Sequence, residues 1–593
     1  MADAPFRKIL VANRGEIAIR VMRSAKELGC GTVAVYSDAD RDALHVRFGD
    51  EAFHLGPATP SLSYLNADRL LAVAQRAGAD AIHPGYGFFA ENAAFARRVI
   101  AAGMTWIGPH PDAIDAMGDK VRARQAMVKA GVPVVPGGTD PIPDSAGARA
   151  AAQRYGLPLA LKASGGGGGK GLKVAHTFDE LDSAFTNAQR EATAYFGNGT
   201  IYAERYLENP KHIELQILAD KHGNVVHIGE RDCSLQRRHQ KLWEEAPALI
   251  PARVRDGLRD AGIRAARAIA YDSAGTIECL VSGDDFFFLE MNTRIQVEHT
   301  VSEQISGIDL VREQILVAAG RPLSFTQDDV ALRGHAIEVR VNAEDPAQNF
   351  RPAPGTVERY REPGGFGVRV DSAAYPGFTI TPDYDSLIAK LIVTARDRSE
   401  CLARLARAIE EYVIAGVPTT LPLLRALCDY GPVREGSYGT ATLEPFAATL
   451  SLRNGVTSAA PSDQTHTGAV QNDDDTIRVE VNEQLFRVRF VDLPLPGGAN
   501  AAVAARAVPK KGGTARRATT AAGNDIIAPM HGVVVELGVA PGTAVAQGDV
   551  VAVIEAMKMM NEIRAHKAGT VQTVHVGVGT TVEARTPLLT LSE

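Results

Sequence analysis

Cysteine is scarce in this sequence: Cys30, Cys233, Cys279, Cys401 and Cys428 are scattered over 593 positions with no CxxC pair. That spacing argues against a disulfide framework or a zinc site and fits a reducing compartment. An excess of positive charge is also missing. The net charge is −7 with both signs interleaved, so no basic footprint points to nucleic acid. No apolar run reaches the roughly 18 residues that span a bilayer. The opening MADAPFRKILVANRGEIAIR has no apolar stretch ahead of a cleavage site. A cytoplasmic protein, with neither membrane nor nucleic acid as partner, is the expectation. Two nucleotide signatures are absent as well. The first hundred residues alternate strand and helix in a Rossmann-like way but lack GxGxxG, so NAD binding has no support, and GxxxxGK[ST] is nowhere to be found.

What is present is an ordinary globular composition, 45% hydrophobic and 22% charged, in a chain too long for one core. Residues 453–475 are polar and turn-rich, and residues 496–524 are rich in Ala, Gly, Lys and Arg; both read as linker. Between them TIRVEVNEQLFRVRFVDL alternates around Asn482-Glu483 as a small hairpin would. A large N-terminal body is thus joined to a small C-terminal module. The module repeats itself: APMHGVVVELGVAPGTAV from Ala528 matches AHKAGTVQTVHVGVGTTV from Ala565, aligning Gly532 with Gly569, Val534 with Val571 and Gly542 with Gly579. Short alternating strands between glycine turns predict a flattened β-sandwich with a pseudo-two-fold axis. IEAMKMMNEI places Lys558 at the junction of the halves. A buried strand with a snorkelling lysine is one reading. An exposed hairpin that displays Lys558 for modification is the other, and the repeat favours it, because an unpaired buried ammonium is costly.

Three stretches of the body carry chemistry. LKASGGGGGKGLKV sets Gly165, Gly166, Gly167, Gly168 and Gly169 between Lys162 and Lys170. Glycine lets backbone N–H groups close round phosphate oxygens while lysine neutralises them. The apolar flanks predict a strand–loop–strand hairpin over a nucleotide. In RDCSLQRRHQKLWEEAPA nine of the first eleven residues are polar, a density of donors that suits an anionic ligand better than a core. FFFLEMNTRIQVEHTVSE begins as a buried strand, and alternation puts Glu290, Asn292, Arg294 and Gln296 on one face. Carboxylate and amide oxygens together suit Mg²⁺, and Glu278 in GTIECL offers a second carboxylate. A purely structural ion-pair face is the alternative.

Together these motifs resemble a known family. EAMKM after an APM-x-G opening resembles the biotinyl domain of biotin-dependent carboxylases; a lipoyl domain shares the repeat but usually carries Asp-Lys-Ala. ANRGEIAIR, HPGYGFFAEN, GDK, GGGGGKG, RDCSLQRRHQK, EMNTRIQVEH, GHAIEVRVNAEDP and YDSLIAKLI, in that order, resemble biotin carboxylase, an ATP-grasp enzyme, over roughly residues 5–447. The whole chain is similar to alpha subunits of acyl-CoA carboxylases of the actinobacterial kind, in which carboxylase and carrier are fused. The resemblance implies a multidomain α/β and α+β fold: a Rossmann-like N-terminal domain (1–114), an ATP-grasp domain (115–334), a biotin carboxylase C-terminal domain (335–447), a linker (448–524) with the hairpin 476–492, and an all-β biotinyl domain (525–593).

It also implies roles. Lys120, Lys162 and His212 meet ATP phosphates beneath the glycine lid, and Glu204, Leu207, Gln236 and His239 line the nucleoside pocket. Glu278 and Glu290 bind Mg²⁺ or Mn²⁺, with Asn292 beside them. Lys241, Arg294, Gln296 and Val297 hold bicarbonate. Glu298 is the general base, Arg340 steadies the biotin enolate, and Lys558 carries biotin. Expected partners are a biotin protein ligase, further copies of the chain and a separate carboxyltransferase beta subunit, since nothing here resembles an acyl-CoA-binding crotonase-like domain. The rival readings are membership of a two-subunit pyruvate carboxylase and, from another class, a non-catalytic carrier or scaffold. Departures from the family are Thr300 for the usual proline, Trp243 for a small aliphatic, Phe89-Ala90 for Leu-Ser, and Arg585 where the first half of the repeat has the turn glycine Gly548.

Overall fold

The computed structural model describes residues 4–138, 140–164, 171–238, 240–453, 476–481, 484–489, 524–530, 532–556, 559–583 and 585–592. Gly165, Gly166, Gly167, Gly168, Gly169, His239 and Lys558 lie outside the described residues, as do 454–475, 482–483 and 490–523.

Strands β1 (Lys8–Val11), β2 (Gly31–Ser37), β3 (Glu51–Gly56), β4 (Ala81–His83) and β5 (Thr105–Trp106) form a parallel sheet in the order β3-β2-β1-β4-β5. Their apolar runs are continuous because parallel strands are covered on both faces, and Ile9, Leu10, Val11, Val33 and Val35 are fully buried. Helices Ala67–Ala77 and Ala93–Ala101 begin at Asn66 and Asn92, whose side chains accept the free amides of Arg69 and Phe95. At the carboxyl end of the sheet the Asn13 amide donates to the carbonyls of Pro84 and Tyr86, both at 2.7 Å. That clamps the loop that leads to Glu91.

A smaller antiparallel sheet, β7-β6-β8, follows: β6 (Leu159–Ala163), β7 (Leu172–Ala175) and β8 (Ile201–Arg205). β6 and β7 flank the glycine-rich stretch, with Lys162 opposite Leu172. Helices Ser145–Tyr155 and Leu181–Phe196 back this sheet through Ala148, Ala152, Ala188 and Ala192, small enough to let helices lie close.

The largest sheet is antiparallel and eight-stranded. It comprises β9 (Lys211–Ala219), β10 (Val225–Arg237), β11 (Gln240–Ala246), β12 (Ser273–Ser282), β13 (Asp285–Asn292), β14 (His335–Asn342) and the strands Leu387–Ala395 and Val368–Ser372. The order is β13-β12-β9-β10-β11-β14, then 387–395, then 368–372. β9 shows how the sequence builds it: Ile213, Leu215 and Ile217 alternate with His212, Glu214 and Gln216, so one face is apolar and the other polar. The apolar face packs on helix Ala252–Ala268, and Gly262 permits the approach, since a Cβ there would run into the Leu215 side chain.

The sheet runs straight through the domain boundary expected at 334/335, because β11 pairs with β14, Glu244 opposite Glu338. Buried Glu245 reinforces the junction. It accepts from His335 at 2.6 Å, from Arg398 at 2.7 and 3.0 Å, and from the Tyr438 hydroxyl. Trp243 packs in the core with Leu235, Ile337 and Val339. Helix Leu443–Arg453 carries regular structure past residue 448, where the linker was expected to begin.

Strands Thr476–Val481 and Gln484–Arg489 pair as an antiparallel hairpin. The C-terminal module is two four-stranded sheets closed over Val534, Val551, Ile554, Val571, Leu588 and Leu591. Its halves repeat each other bond for bond. The Gly548 amide donates to Ala565 at 2.8 Å, and the Arg585 amide donates to Ala528 at 2.7 Å. Val550–Ala556 and Met559–Arg564 form a hairpin whose last pair is Ala556 with Met559, on either side of residues 557 and 558.

Candidate active site

The polar face of the large sheet becomes a site through cross-strand register. Arg231 on β10 lies opposite Glu214 on β9, Glu214 opposite Glu278 on β12, and Glu278 opposite Glu290 on β13. Thr276 pairs likewise with Asn292. Arg231, fully buried, donates to Glu214 at 2.9 and 3.0 Å, Gln216 at 2.6 Å, Gln296 at 2.7 Å, and Thr276 and Ser302 at 3.1 Å. Every arm of its fork is matched, which a buried guanidinium requires. Lys241 converges on three carboxylates: Glu278 at 3.0 Å, Glu298 at 2.8 Å, and Glu214. Burial opposes its charge, but Glu214, Glu278 and Glu298 hold it firmly protonated.

His212 places Nε2 3.1 Å from Glu278 and 3.4 Å from Glu214. Burial would discharge the ring, yet the two carboxylates outweigh it and lift its pKa to about 9. The residue expected on ATP phosphates therefore stands as a cation against the carboxylates. Glu278 also accepts from Asn292 at 2.8 Å and Gln296 at 2.7 Å. Two carboxylates on paired strands plus an amide oxygen form a hard-oxygen set that fits a divalent cation such as Mg²⁺.

The segment after β13 completes the cluster. Arg294 donates to Glu91 at 2.9 Å and to Asn292 at 2.9 Å, bridging the first domain to the sheet. The Val297 carbonyl accepts from Lys390 at 3.1 Å. Glu298 sits between two cations: one oxygen accepts from Lys241, the other from Arg340 at 2.8 Å. Burial would raise its pKa, but Lys241 and Arg340 more than offset this and keep it ionised. Arg340 also donates to Glu244 at 2.6 Å.

On the small sheet Lys162 pairs with Glu204, and Arg124 reaches Glu204 at 3.4 Å. Burial, then Lys120 and Arg124, depress Lys162 to about 7. Lys120 lies 3.5 Å from Glu290. Gln236 pairs with Lys241 across β10–β11, and Leu207 is half-buried just past β8. A cleft of about 370 Å³, lined by Glu91, Asp115, Asp119, Ser164 and Asn198, opens between the first domain and the small sheet, at the edge of the glycine-rich stretch. The sequence reading missed Arg231, Glu214 and Glu91 as members of the cluster. The polar alternation His212, Glu214, Gln216 was the available signal for Glu214; Arg231 and Glu91 stood in quoted motifs without a role.

A small three-stranded lid facing a long antiparallel sheet, with a lysine–carboxylate cluster between them, defines an ATP-grasp ligase. Family models match in four segments: "Biotin carboxylase, N-terminal domain" over 5–114, "Carbamoyl-phosphate synthase L chain, ATP binding domain" over 119–326, "Biotin carboxylase C-terminal domain" over 338–445, and "Biotin-requiring enzyme" over 524–591. The chain is 44% identical to the biotin-dependent acyl-coenzyme A carboxylase alpha3 subunit of Mycobacterium leprae, over 99% of each chain. It is 50% identical to biotin carboxylase 1 of Bacillus subtilis over 74% of this chain and 99% of that one. A pyruvate carboxylase subunit of Methanothermobacter thermautotrophicus is 51% identical over 74% of this chain and 90% of its own. Among solved structures, the biotin carboxylase domain of the Hydrogenobacter thermophilus 2-oxoglutarate carboxylase, in complex with MgADP, ADP and bicarbonate, superposes with a TM-score of 0.71 at 49% identity, covering 74% of this chain and 98% of that one. The chain belongs to the biotin-dependent carboxylases: it is a biotin carboxylase fused to a biotin carrier domain.

Proposed function

We propose that this chain is the alpha subunit of an acyl-CoA carboxylase, which carboxylates biotin on its own Lys558 and passes the carboxyl group to a carboxyltransferase beta subunit on another chain. The observation that carries this reading is the end-to-end match to the Mycobacterium leprae alpha3 subunit, through linker and carrier, whereas the pyruvate carboxylase relative matches 74% of the chain.

The residues divide the work. Lys120 and Lys162 offset the negative charge of ATP phosphates, and Glu204, Leu207, Gln236 and His239 border the nucleoside. Glu278, Glu290 and Asn292 would hold Mg²⁺, which when bound neutralises charge on the transferring phosphoryl group. Lys241, Arg294, Gln296 and the Val297 backbone position bicarbonate. Glu298, ionised at the start, takes the bicarbonate proton as the bicarbonate oxygen bonds to the γ-phosphorus and the bond to ADP breaks. The carboxyphosphate so formed releases CO₂ and phosphate; Lys558 would hold biotin, whose ureido nitrogen would bond to the CO₂ as its proton passes to the phosphate. Arg340, fixed by Glu244 and Glu298, presents a guanidinium to the oxyanion that develops on the acceptor.

The test is purification of the native complex and labelled-bicarbonate fixation over acetyl-, propionyl- and longer acyl-CoA, with pyruvate alongside. Fixation into an acyl-CoA, lost in Lys558→Arg while ATP turnover with free biotin persists, is expected. Fixation into pyruvate alone would transfer the chain to the rival class.

A further inference from the structure

Glu244 and Glu338 face each other as direct partners across β11 and β14, and both are fully buried. Such cross-strand partners carry their Cβ atoms about 5 Å apart on one face of the sheet. Each carboxyl group has one satisfied oxygen. Arg340 Nε donates to Glu244 Oε1 at 2.6 Å, and the Thr300 hydroxyl donates to Glu338 Oε2. The other two, Glu244 Oε2 and Glu338 Oε1, are buried without a hydrogen-bond partner among the described residues. Two orphaned oxygens on facing carboxyl groups are what a single proton satisfies, as donor to one and covalent partner of the other.

We propose that Glu244 and Glu338 share one proton and act as a positioning pair that sets the charge beside Arg340. Their surroundings fit this. Arg340 and Glu298 face both groups, Cys233 on β10 lies within electrostatic reach of Glu244, and Lys390 on the neighbouring strand faces Glu338. Lys390 is itself 3.7 Å from both Glu16 and Asp371, so its charge is divided. Arg340 is thus left among Glu298, Glu244 and Glu338. With all three ionised, its positive charge would be overcommitted and an oxyanion on the acceptor poorly met. With one proton on the pair, guanidinium charge is free for the acceptor. Burial, first of all, pushes both carboxyl groups upward, which keeps the proton in place at neutral pH. The Thr300 hydroxyl works the other way by stabilising ionised Glu338.

The proposal rests on Arg340 acting at the biotin acceptor, and one of its readouts is independent of that role. The full chain, Thr300→Val and Glu338→Gln are compared by infrared spectroscopy and by the pH profile of kcat/KM for free biotin. The wild type should show a neutral, buried carboxyl band at neutral pH, absent from Glu338→Gln. Activity of the wild type should fall on the alkaline side as the pair loses its proton. Thr300→Val, which removes a donor to the ionised form, should move that limb upward by about one pH unit with KM for ATP unchanged. Glu338→Gln, in which the amide takes the place of the shared proton, should flatten the limb. Absence of the carboxyl band in the wild type would overturn the shared proton whatever Arg340 does. A band with limbs that stay put in Thr300→Val would overturn the coupling to Arg340, and Thr300→Val decides this even where Glu338→Gln fails to fold.

Discussion

Glu298 lies between Lys241 and Arg340, each 2.8 Å away, so the proposed general base and the two cations proposed to meet bicarbonate and the biotin oxyanion occupy one hydrogen-bonded line. Replacing it by Gln removes the proton acceptor and leaves Glu278 and Glu290 in place. ATP turnover should fall by roughly 10²–10⁴-fold while nucleotide affinity is retained. Steady-state ATPase together with equilibrium nucleotide binding checks this, and a loss under threefold would reassign the base. Glu245 carries a prediction about stability. Burial alone would raise its pKa, but hydrogen bonds from His335 and Arg398 prevail and lower it to about 2 from 4.5. A depressed carboxyl group stabilises the fold above its unfolded value and loses that contribution as pH falls toward 2. The contribution is about 3 kcal/mol. In denaturant titrations over a pH series, the stability gap between wild type and Glu245→Gln should narrow between about pH 4.5 and 2; a constant gap would assign the effect to packing. At this scale the sequence was legible in residue types and blind to partners. Alternation was expected to put Glu290, Asn292, Arg294 and Gln296 on one face, but the strand ends at Asn292 and the turn beyond it carries Arg294 and Gln296; that Arg231 closes on Glu214, or that Glu91 arrives from another domain, follows from register and tertiary placement, which local pattern does not encode.

Among the elements, strands with a clean period of two were the most readable. β9 declares both faces, and the hairpin Thr476–Val481 with Gln484–Arg489 was visible from its alternation. Less readable was where one unit stops: strand pairing passes through the boundary at 334/335, because hydrogen bonding between β11 and β14 leaves no mark in composition. The repeat in the carrier makes the sharpest elemental test. Gly548 has φ of +96° and Arg585, its counterpart, +74°, so the second turn places a side chain in the left-handed region. Arg585→Gly should relieve this and stabilise the carrier by about 1 kcal/mol. Calorimetry of the full chain should show the carrier transition move upward while that of the body stays. An unchanged carrier transition would mean the turn bears no strain.

For the molecule as a whole, the decisive quantity is reach. Under the proposed function, the site around Lys241 and Arg340 and a carboxyltransferase on another chain would both have to receive Lys558. Residues 496–524 read as linker from composition, and a flexible chain of that length would span about 30 Å. Their deletion should leave biotinylation and ATP turnover with free biotin intact yet lower acyl-CoA carboxylation about tenfold or more, since effective concentration collapses once a tether is too short. Unchanged turnover would show that the carrier needs no such reach. The order of domains could be read from the sequence because each has its own motif. Their joining could not, and that joining has a consequence during synthesis. Strand β14 and the strand Leu387–Ala395 are made long after β9 to β13, so a growing chain carries Glu278 and Glu290 before it owns Arg340 or the neighbour that covers the edge of β11. At roughly 5–20 residues per second, that bare edge, with Trp243 on it, stays open for several seconds on every ribosome. A nascent chain can thus assemble the ATP-binding part early, but its open margin invites sticking to neighbours until the C-terminal strands arrive to seal it.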